Sequence, residues 1–313
     1  MSTALIRSFH PLPASSKGGI VTIGNFDGVH LGHQALLEKV LTTAKTSQIP
    51  SVVLTFEPHP FEFFQHNPFS IPRLTRLREK YILMQRLGID NLVILRFNQL
   101  LAKRSPDGFI RDLFTALAPR QIIVGDDFRF GYQRKGDFGL LKQMGETLGF
   151  EVSAMPTTLL DNERVSSTRV RKALAIDDLK LAQRLLGRPY SMIGRVVRGD
   201  GQGRAWGFPT ANLFLHRSLT AVKGVYAVRM HGITAHPLLG VANVGIRPTV
   251  GGTRCLLEVN LFDFDQDIYG REVEVEFCAK LREEEYYPSI DLLKEQIARD
   301  VVVAKAYFEN GVL

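Results

Sequence analysis

Two stretches of this sequence carry residues whose types and spacing fit phosphate chemistry. The first is Gly24-Asn-Phe-Asp-Gly-Val-His-Leu-Gly-His33, directly after the β-branched run Ile20–Ile23. Its two histidines, His30 and His33, stand three residues apart and share a face if they open a helix. A helix N-terminus presents unpaired N–H groups and positive potential, which favours anions. Gly24, Gly28 and Gly32 let a nucleotide approach the backbone closely. Neither GxGxxG nor the GK[ST] ending of a P-loop is present. The competing reading is a pair of surface histidines or half of a metal site. The position after a strand, among glycines and at a helix start, favours the phosphate reading.

Two further stretches bear on the same chemistry. Val165-Ser-Ser-Thr-Arg-Val-Arg171 places Ser167, Thr168, Arg169 and Arg171 at a helix start. One hydroxyl would satisfy an N-cap; hydroxyls with two guanidinium groups suit a polyphosphate. Gly125-Asp-Asp-Phe-Arg-Phe-Gly131 follows another strand, so Asp127, Phe128 and Phe130 are candidates for holding a flat ring. The two phenylalanines could equally be core. Thr55-Phe-Glu-Pro-His-Pro60 follows a third strand and stiffens a loop near the same rim.

The second chemical stretch lies in the later half. Gly199-Asp-Gly-Gln-Gly-Arg204 precedes Gly207-Phe-Pro-Thr-Ala-Asn212. The Thr210 hydroxyl and the Asn212 amide are oxygen donors of the kind Mg²⁺ accepts, although a Gly/Pro-rich hairpin loop needs no such role. Glu258 stands in an otherwise apolar extended run. A partly buried carboxylate with a raised pKa there could act as a general base; an exposed strand glutamate is the alternative.

The elements that must position these residues fall into two patterns. Up to about residue 184, strand signals (Ile20–Ile23, Ser51–Phe56, Leu92–Leu95, Gln121–Val124, Glu151–Ala154) alternate with helical ones (Gln34–Leu41, Arg76–Leu87, Pro106–Leu117, Gly139–Leu148). That rhythm predicts an α/β domain, a Rossmann-like parallel sheet covered by helices, with ligands at the C-terminal strand ends. After Gly187 come short extended runs split by Gly and Pro, and Arg271–Phe277 alternates charged and apolar residues. This pattern predicts an antiparallel β-barrel. Leu186–Tyr190 reads as a linker or first turn. Ile290, Leu293, Ile297, Val301 and Ala304 fall on one face of a closing helix that Pro288-Ser289 introduces. The expected domains are residues 1–184 and 185–313.

Bulk properties narrow the function class. The chain has 313 residues, 45 % hydrophobic and 23 % charged, as expected of a globular protein with two cores. Cys255 and Cys278 form no CxxC pair, so neither a disulfide framework nor a cysteine zinc site is expected, and a reducing cytoplasm fits. The N-terminus does not read as a signal peptide, and no run approaches the length of a membrane span. The formal net charge is +7, and residues 1–184 hold it all, with 24 Lys+Arg against 17 Asp+Glu. Without a dense basic block, zinc finger or RNP1 motif, the excess points to polyphosphate substrates or a solvated surface, and no nucleic-acid partner is expected.

The wording GNFDGVHLGH, GDDFRFG and VSSTRVR resembles the FMN adenylyltransferase module of prokaryotic bifunctional riboflavin kinase/FAD synthetases. GFPTAN, Lys223-Gly-Val-Tyr226, Gly240–Thr249 and the Glu258…Asp-Phe-Asp265…Tyr269-Gly270 pattern resemble that family's riboflavin kinase module. The resemblance spans about Gly18 to Asp300. It implies that the barrel is a six-stranded Greek key with a terminal helix. It further implies that Gly24, Asp27, His30, His33, Ser167, Thr168, Arg169 and Arg171 hold ATP, and that Thr210 and Asn212 bind Mg-ATP. Glu258 would be the base for the ribityl hydroxyl. Riboflavin, FMN and ATP are then substrates, and Mg²⁺ is required. Trp206, Asn260 and Tyr286 depart from the family's usual residues. The alternatives are another nucleotidyltransferase, or a flavin- or RNA-binding regulator.

Overall fold

A computed structural model describes residues 3–9, 12–64, 71–199, 203, 206–215, 217, 219–249 and 252–310, with backbone alone at 246–249 and 252–254. Its contacts divide the chain into two units, Met1–Ile71 with Thr75–Ser167, and Pro72–Leu74 with Thr168–Leu313.

The first unit contains β1 (Ala4–Ile6), β2 (Ile20–Ile23), α1 (Leu31–Ser47), β3 (Ser51–Glu57), α2 (Pro60–Phe64), α3 (Leu77–Leu87) and β4 (Asn91–Arg96). It continues with α4 (Gln99–Ala102), α5 (Pro106–Leu117), β5 (Gln121–Gly125), α6 (Phe138–Leu148), β6 (Glu151–Met155), β7 (Leu159–Leu160) and β8 (Glu163–Arg164). Six strands form a parallel sheet in the order β1-β4-β3-β2-β5-β6. Their apolar runs lack polar alternation because both faces are covered. Val21, Ile23, Val52, Leu54, Ile122 and Val124 pack on one side with α5 and α6. Ile20, Val53, Leu92, Ile94 and Ile123 pack on the other with α1 and α3. The chain moves outward from β2 to β3 and β4, then returns to add β5 on β2's other edge. That reversal makes a crevice at the C-terminal ends of β2 and β5, where the two-histidine turn and the Gly125–Gly131 loop begin.

The second unit contains α7 (Ser167–Ala175, from Thr168), α8 (Leu179–Leu186), β9 (Ser191–Val197), β10 (Thr210–Phe214), β11 (Gly224–His231), β12 (Leu238–Thr249), β13 (Gly252–Leu261), β14 (Glu272–Arg282) and α9 (Ile290–Glu309). The strands close a barrel in the order β10-β13-β12-β11-β14-β9, every pairing antiparallel. Leu213, Val228, Ala242, Leu257, Val259 and Val275 are fully buried. The residues between them, among them Asn212, Glu258 and Asn260, face outward. Helix α9 lies against β11, β12 and β14. Ser289 caps it, its hydroxyl accepting from the Leu292 N–H at 3.3 Å.

The alternating sheet, the barrel and the closing helix match the sequence expectations. Two local features differ. Helix α1 starts at Leu31, three residues before the apolar spacing becomes visible, because His30 supplies the cap. Leu186 ends α8 rather than a linker, and Gly187 stops the helix in the left-handed region (φ 67°). The α7–α8 turn is tied to the barrel. Tyr226 donates to Asp177 at 2.6 Å, and the Lys280 ammonium meets the same carboxylate at 3.0 Å.

Candidate active sites

In the first unit, the turn after β2 is bent through Phe26 (φ 47°), Gly28 (φ 84°) and Val29 (φ 44°). Such geometry persists only where its surroundings hold it. Here a buried network does so. Asp27, 2 % exposed, accepts from the Thr75 N–H at 2.9 Å and from the Thr75 hydroxyl at 3.2 Å. The Gly28 N–H donates to that hydroxyl at 2.9 Å. Ser167 donates to the Asp27 carbonyl at 2.8 Å, which brings Ser167 to the turn.

His30 caps α1, its Nδ1 accepting from the His33 N–H at 3.3 Å. The two imidazoles stack with centroids 3.7 Å apart, and Phe26 meets His33 edge-on at 5.2 Å. The His33 pKa is held well below its ordinary value, first by burial and then by His30, Lys80 and Arg164. His33 is therefore neutral at physiological pH and offers a hydrogen bond rather than a charge. Its buried Nδ1 has no protein partner.

Beside this turn is a cavity of about 200 Å³. Asn25, Phe56, Phe97, Phe109, Phe128 and Phe130 are among its lining residues. Phe128 and Phe130 stack at 5.3 Å and line this cavity, and Phe130 is also part of the buried core, with Phe128 packed against it. Asp127 does not line the cavity; its carboxylate pairs with Arg164 at 2.5 Å on the exposed side of the loop. Thr168, Arg169 and Arg171 belong to the second unit. There the Arg171 Nε donates to the Pro72 carbonyl at 2.7 Å.

In the barrel, register does the positioning. Glu258 on β13 lies directly between Asn212 on β10 and Asn243 on β12, and Thr210 pairs with Asn260. Directly opposed residues on one sheet face hold their Cβ atoms roughly 5 Å apart. All five side chains line one cavity of about 400 Å³, together with Trp206 and Tyr287. The far wall comes from Arg282 and Asp300. The Asp300 carboxylate, 5 % exposed, takes two bonds from the Arg282 Nε at 3.0 and 3.1 Å and one from its Nη2 at 2.8 Å. That pair fastens α9 to β14. A Cβ at Gly199 would stand 2.5 Å from the Asn212 amide, so the glycine permits a close approach there. Asp200, Gly201, Gln202 and Arg204 of that loop lie outside the described residues.

Among the described residues, no three His, Cys, Asp or Glu cluster closely enough to hold a metal ion. The oxygens of Thr210, Asn212 and Glu258 on one wall are hard donors suited to Mg²⁺ carried in on phosphates. No helix among the described residues is long and apolar enough to cross a membrane. Both cysteines are free. Sequence reasoning assigned no role to Asn25 and Asn243, although both lie in the quoted motifs, and missed Thr75, Lys80 and Phe97, which lie outside them.

Comparison with known proteins matches the two parts of the chain to two families. Residues 12–169 match the family model for FAD synthetase, and residues 186–308 match that for riboflavin kinase. The bifunctional riboflavin kinase/FMN adenylyltransferase of Escherichia coli K12 is 47 % identical over 306 residues, 97 % of each chain. The protein of the same description from Haemophilus influenzae is 45 % identical over 307 residues, 98 % of this chain and 99 % of that one. A crystal structure described as a macrolide-efflux protein from Streptococcus pneumoniae is 32 % identical. It superposes with a TM-score of 0.81, covering 97 % of this chain and 99 % of that one.

Proposed function

Since the chain belongs to the bifunctional riboflavin kinase/FMN adenylyltransferase family, we propose that its two reactions run at the two cavities just described, with the residues assigned below. The enzyme phosphorylates riboflavin to FMN and transfers AMP from ATP to FMN, giving FAD and pyrophosphate. The functional boundary falls between residues 184 and 185.

In the kinase reaction, the ribityl 5′-oxygen attacks the γ-phosphorus of ATP, the bond to the β-phosphate oxygen breaks, and ADP leaves. Glu258 takes the hydroxyl proton. Asn212 and Thr210 orient the phosphates beside it. Thr210 and Asn212 would hold Mg²⁺, which would supply charge neutralisation at the phosphates. The observation that carries this reading is the register Asn212–Glu258–Asn243 across three strands at one cavity.

In the adenylyl transfer, an FMN phosphate oxygen attacks the α-phosphorus of ATP and pyrophosphate leaves. The reaction needs no protein nucleophile, so catalysis is alignment and charge stabilisation. His30 and neutral His33 donate to the α-phosphate, and Gly24 and Asp27 shape the turn beneath it. Ser167, Thr168, Arg169 and Arg171 take the leaving pyrophosphate. Phe128 and Phe130 flank the isoalloxazine ring, and Asp127 keeps their loop in place through Arg164. A cytoplasmic location fits the use of ATP and the two unpaired thiols.

The test is incubation of purified protein with riboflavin, ATP and Mg²⁺, followed by chromatographic separation of the flavins. FMN appearing first and FAD after it is the expected outcome. FMN that is never converted, even when supplied directly, would refute the assignment of the first unit.

A further inference from the structure

Lys80, on α3, is fully buried. The sheet-facing side of a helix ordinarily takes an apolar residue. An ammonium removed from water costs several kcal/mol unless acceptors surround it. Here Nζ donates to the Asn25 carbonyl at 2.6 Å and to the Thr55 hydroxyl at 3.0 Å. That hydroxyl itself donates to the Asn25 carbonyl at 3.3 Å. The triangle joins three elements: α3, the end of β3, and the turn after β2 that carries both histidines.

We propose that Lys80 is a positioning residue for adenylyl transfer, its ammonium pinning Asn25 to Thr55 and so fixing the strained backbone from which His30 and His33 are presented. This rests on the assignment of adenylyl transfer to that turn. Apolar packing alone would hold α3 on the sheet, but it would not fix the direction of one carbonyl. The charge has a second consequence. The titratable and charged groups acting on His33 are His30 beside it, Lys80 from α3 and Arg164 from β8, and all of them disfavour imidazolium. Lys80 thus holds the turn and keeps His33 in its neutral, donating form.

The experiment uses the full-length chain with Lys80→Met, which keeps length and removes the charge. The kcat of FMN adenylylation falls about 100-fold, the size of effect expected from roughly an ångström of misplacement. The KM for ATP moves far less, and riboflavin phosphorylation is unchanged. The acid limb of the adenylylation pH profile shifts to higher pH, because His33 protonates more readily without the neighbouring ammonium. A wild-type kcat, or a loss that is the same at every pH with the acid limb in place, would overturn the proposal. If Lys80→Met leaves the first unit unfolded, Thr55→Val carries the test with the charge retained. A severalfold loss of kcat supports the proposal and an unchanged kcat rejects it. His30→Ala is the control: if it too forms FAD normally, the site assignment fails rather than the role of Lys80 alone.

Discussion

In the proposed assignment the chemistry of the parallel sheet sits on a turn, and that of the barrel sits on strands. The turn after β2 passes through positive φ at Phe26, Gly28 and Val29 and is braced by Thr75, Lys80 and Ser167, which are distant in sequence. In the barrel, Asn212, Glu258 and Asn243 come together through ladder pairing, with no strained backbone at those positions. A turn site therefore depends on buried polar supports, whereas a strand site depends on register. Loss of one support should loosen the first site gradually. Loss of one strand residue should remove a chemical role from the second outright.

The largest expected effect is at Glu258. A general base contributes about 10²–10⁴-fold, so Glu258→Ala should lower riboflavin phosphorylation roughly 10³-fold and leave FMN-to-FAD conversion intact. His30→Ala should do the reverse, costing adenylylation roughly 10²-fold, the usual worth of one preorganised donor. Separate assays of the two steps check both, and loss of both activities in one folded variant would break the comparison.

The next effect is at the barrel's far wall. Removing one partner of a buried ion pair costs about 3 kcal/mol. Asp300→Ala should destabilise the second unit by about that amount, release α9 from Arg282 and raise the KM for riboflavin while sparing adenylylation. Denaturant melts and kinase kinetics measure it. Thr75→Val should cost about 1–2 kcal/mol, because it removes the buried hydroxyl that accepts from the Gly28 N–H and donates to Asp27. Adenylylation should fall with it and phosphorylation should not.

The barrel site was the more legible of the two. Glu258 and Asn260 alternate with Leu257 and Val259 at period two, so one outward face follows from the pattern itself. The Thr210–Asn212 stretch then pairs onto that face. Asn243 stayed hidden because ladder partners are set by barrel closure, which no local spacing encodes. In the first unit the i, i+3 spacing of His30 and His33 implied a shared face, and the two rings do lie together, while GDDFRFG left its phenylalanines open between core and ring contact. The supports were not foretold. Lys80 reads like any helix lysine, since burial is decided by how α3 lies on the sheet. The remaining cavity rings, Phe56, Phe61, Phe64, Phe97 and Phe109, come from β3, α2, the residue after β4 and α5, so no one sequence window holds them all. Asp127, adjacent to Phe128 in sequence, turns outward to Arg164 because the loop directs successive side chains apart.

The smallest expected effect is on stability against pH. The His33 pKa is depressed in the folded state, so the unfolded chain binds its proton more readily. His33 therefore costs no stability above its ordinary value of 6.5, and the folded state loses stability progressively as pH falls below that value. Melting curves from pH 7.5 to 5.5 should show a decline that His33→Gln reduces. An equal decline in His33→Gln would assign the acid sensitivity elsewhere.

The central claim is that two separate chemical sites share one chain, and mixing two variants tests it most directly. Glu258→Ala and His30→Ala are each incubated with riboflavin, ATP and Mg²⁺, alone and together, and FAD is quantified. The account predicts little FAD from either alone and restored FAD from the mixture, as free FMN passes from one variant to the other. A mixture that yields no more FAD than its parts, with both variants folded, would contradict two independent sites.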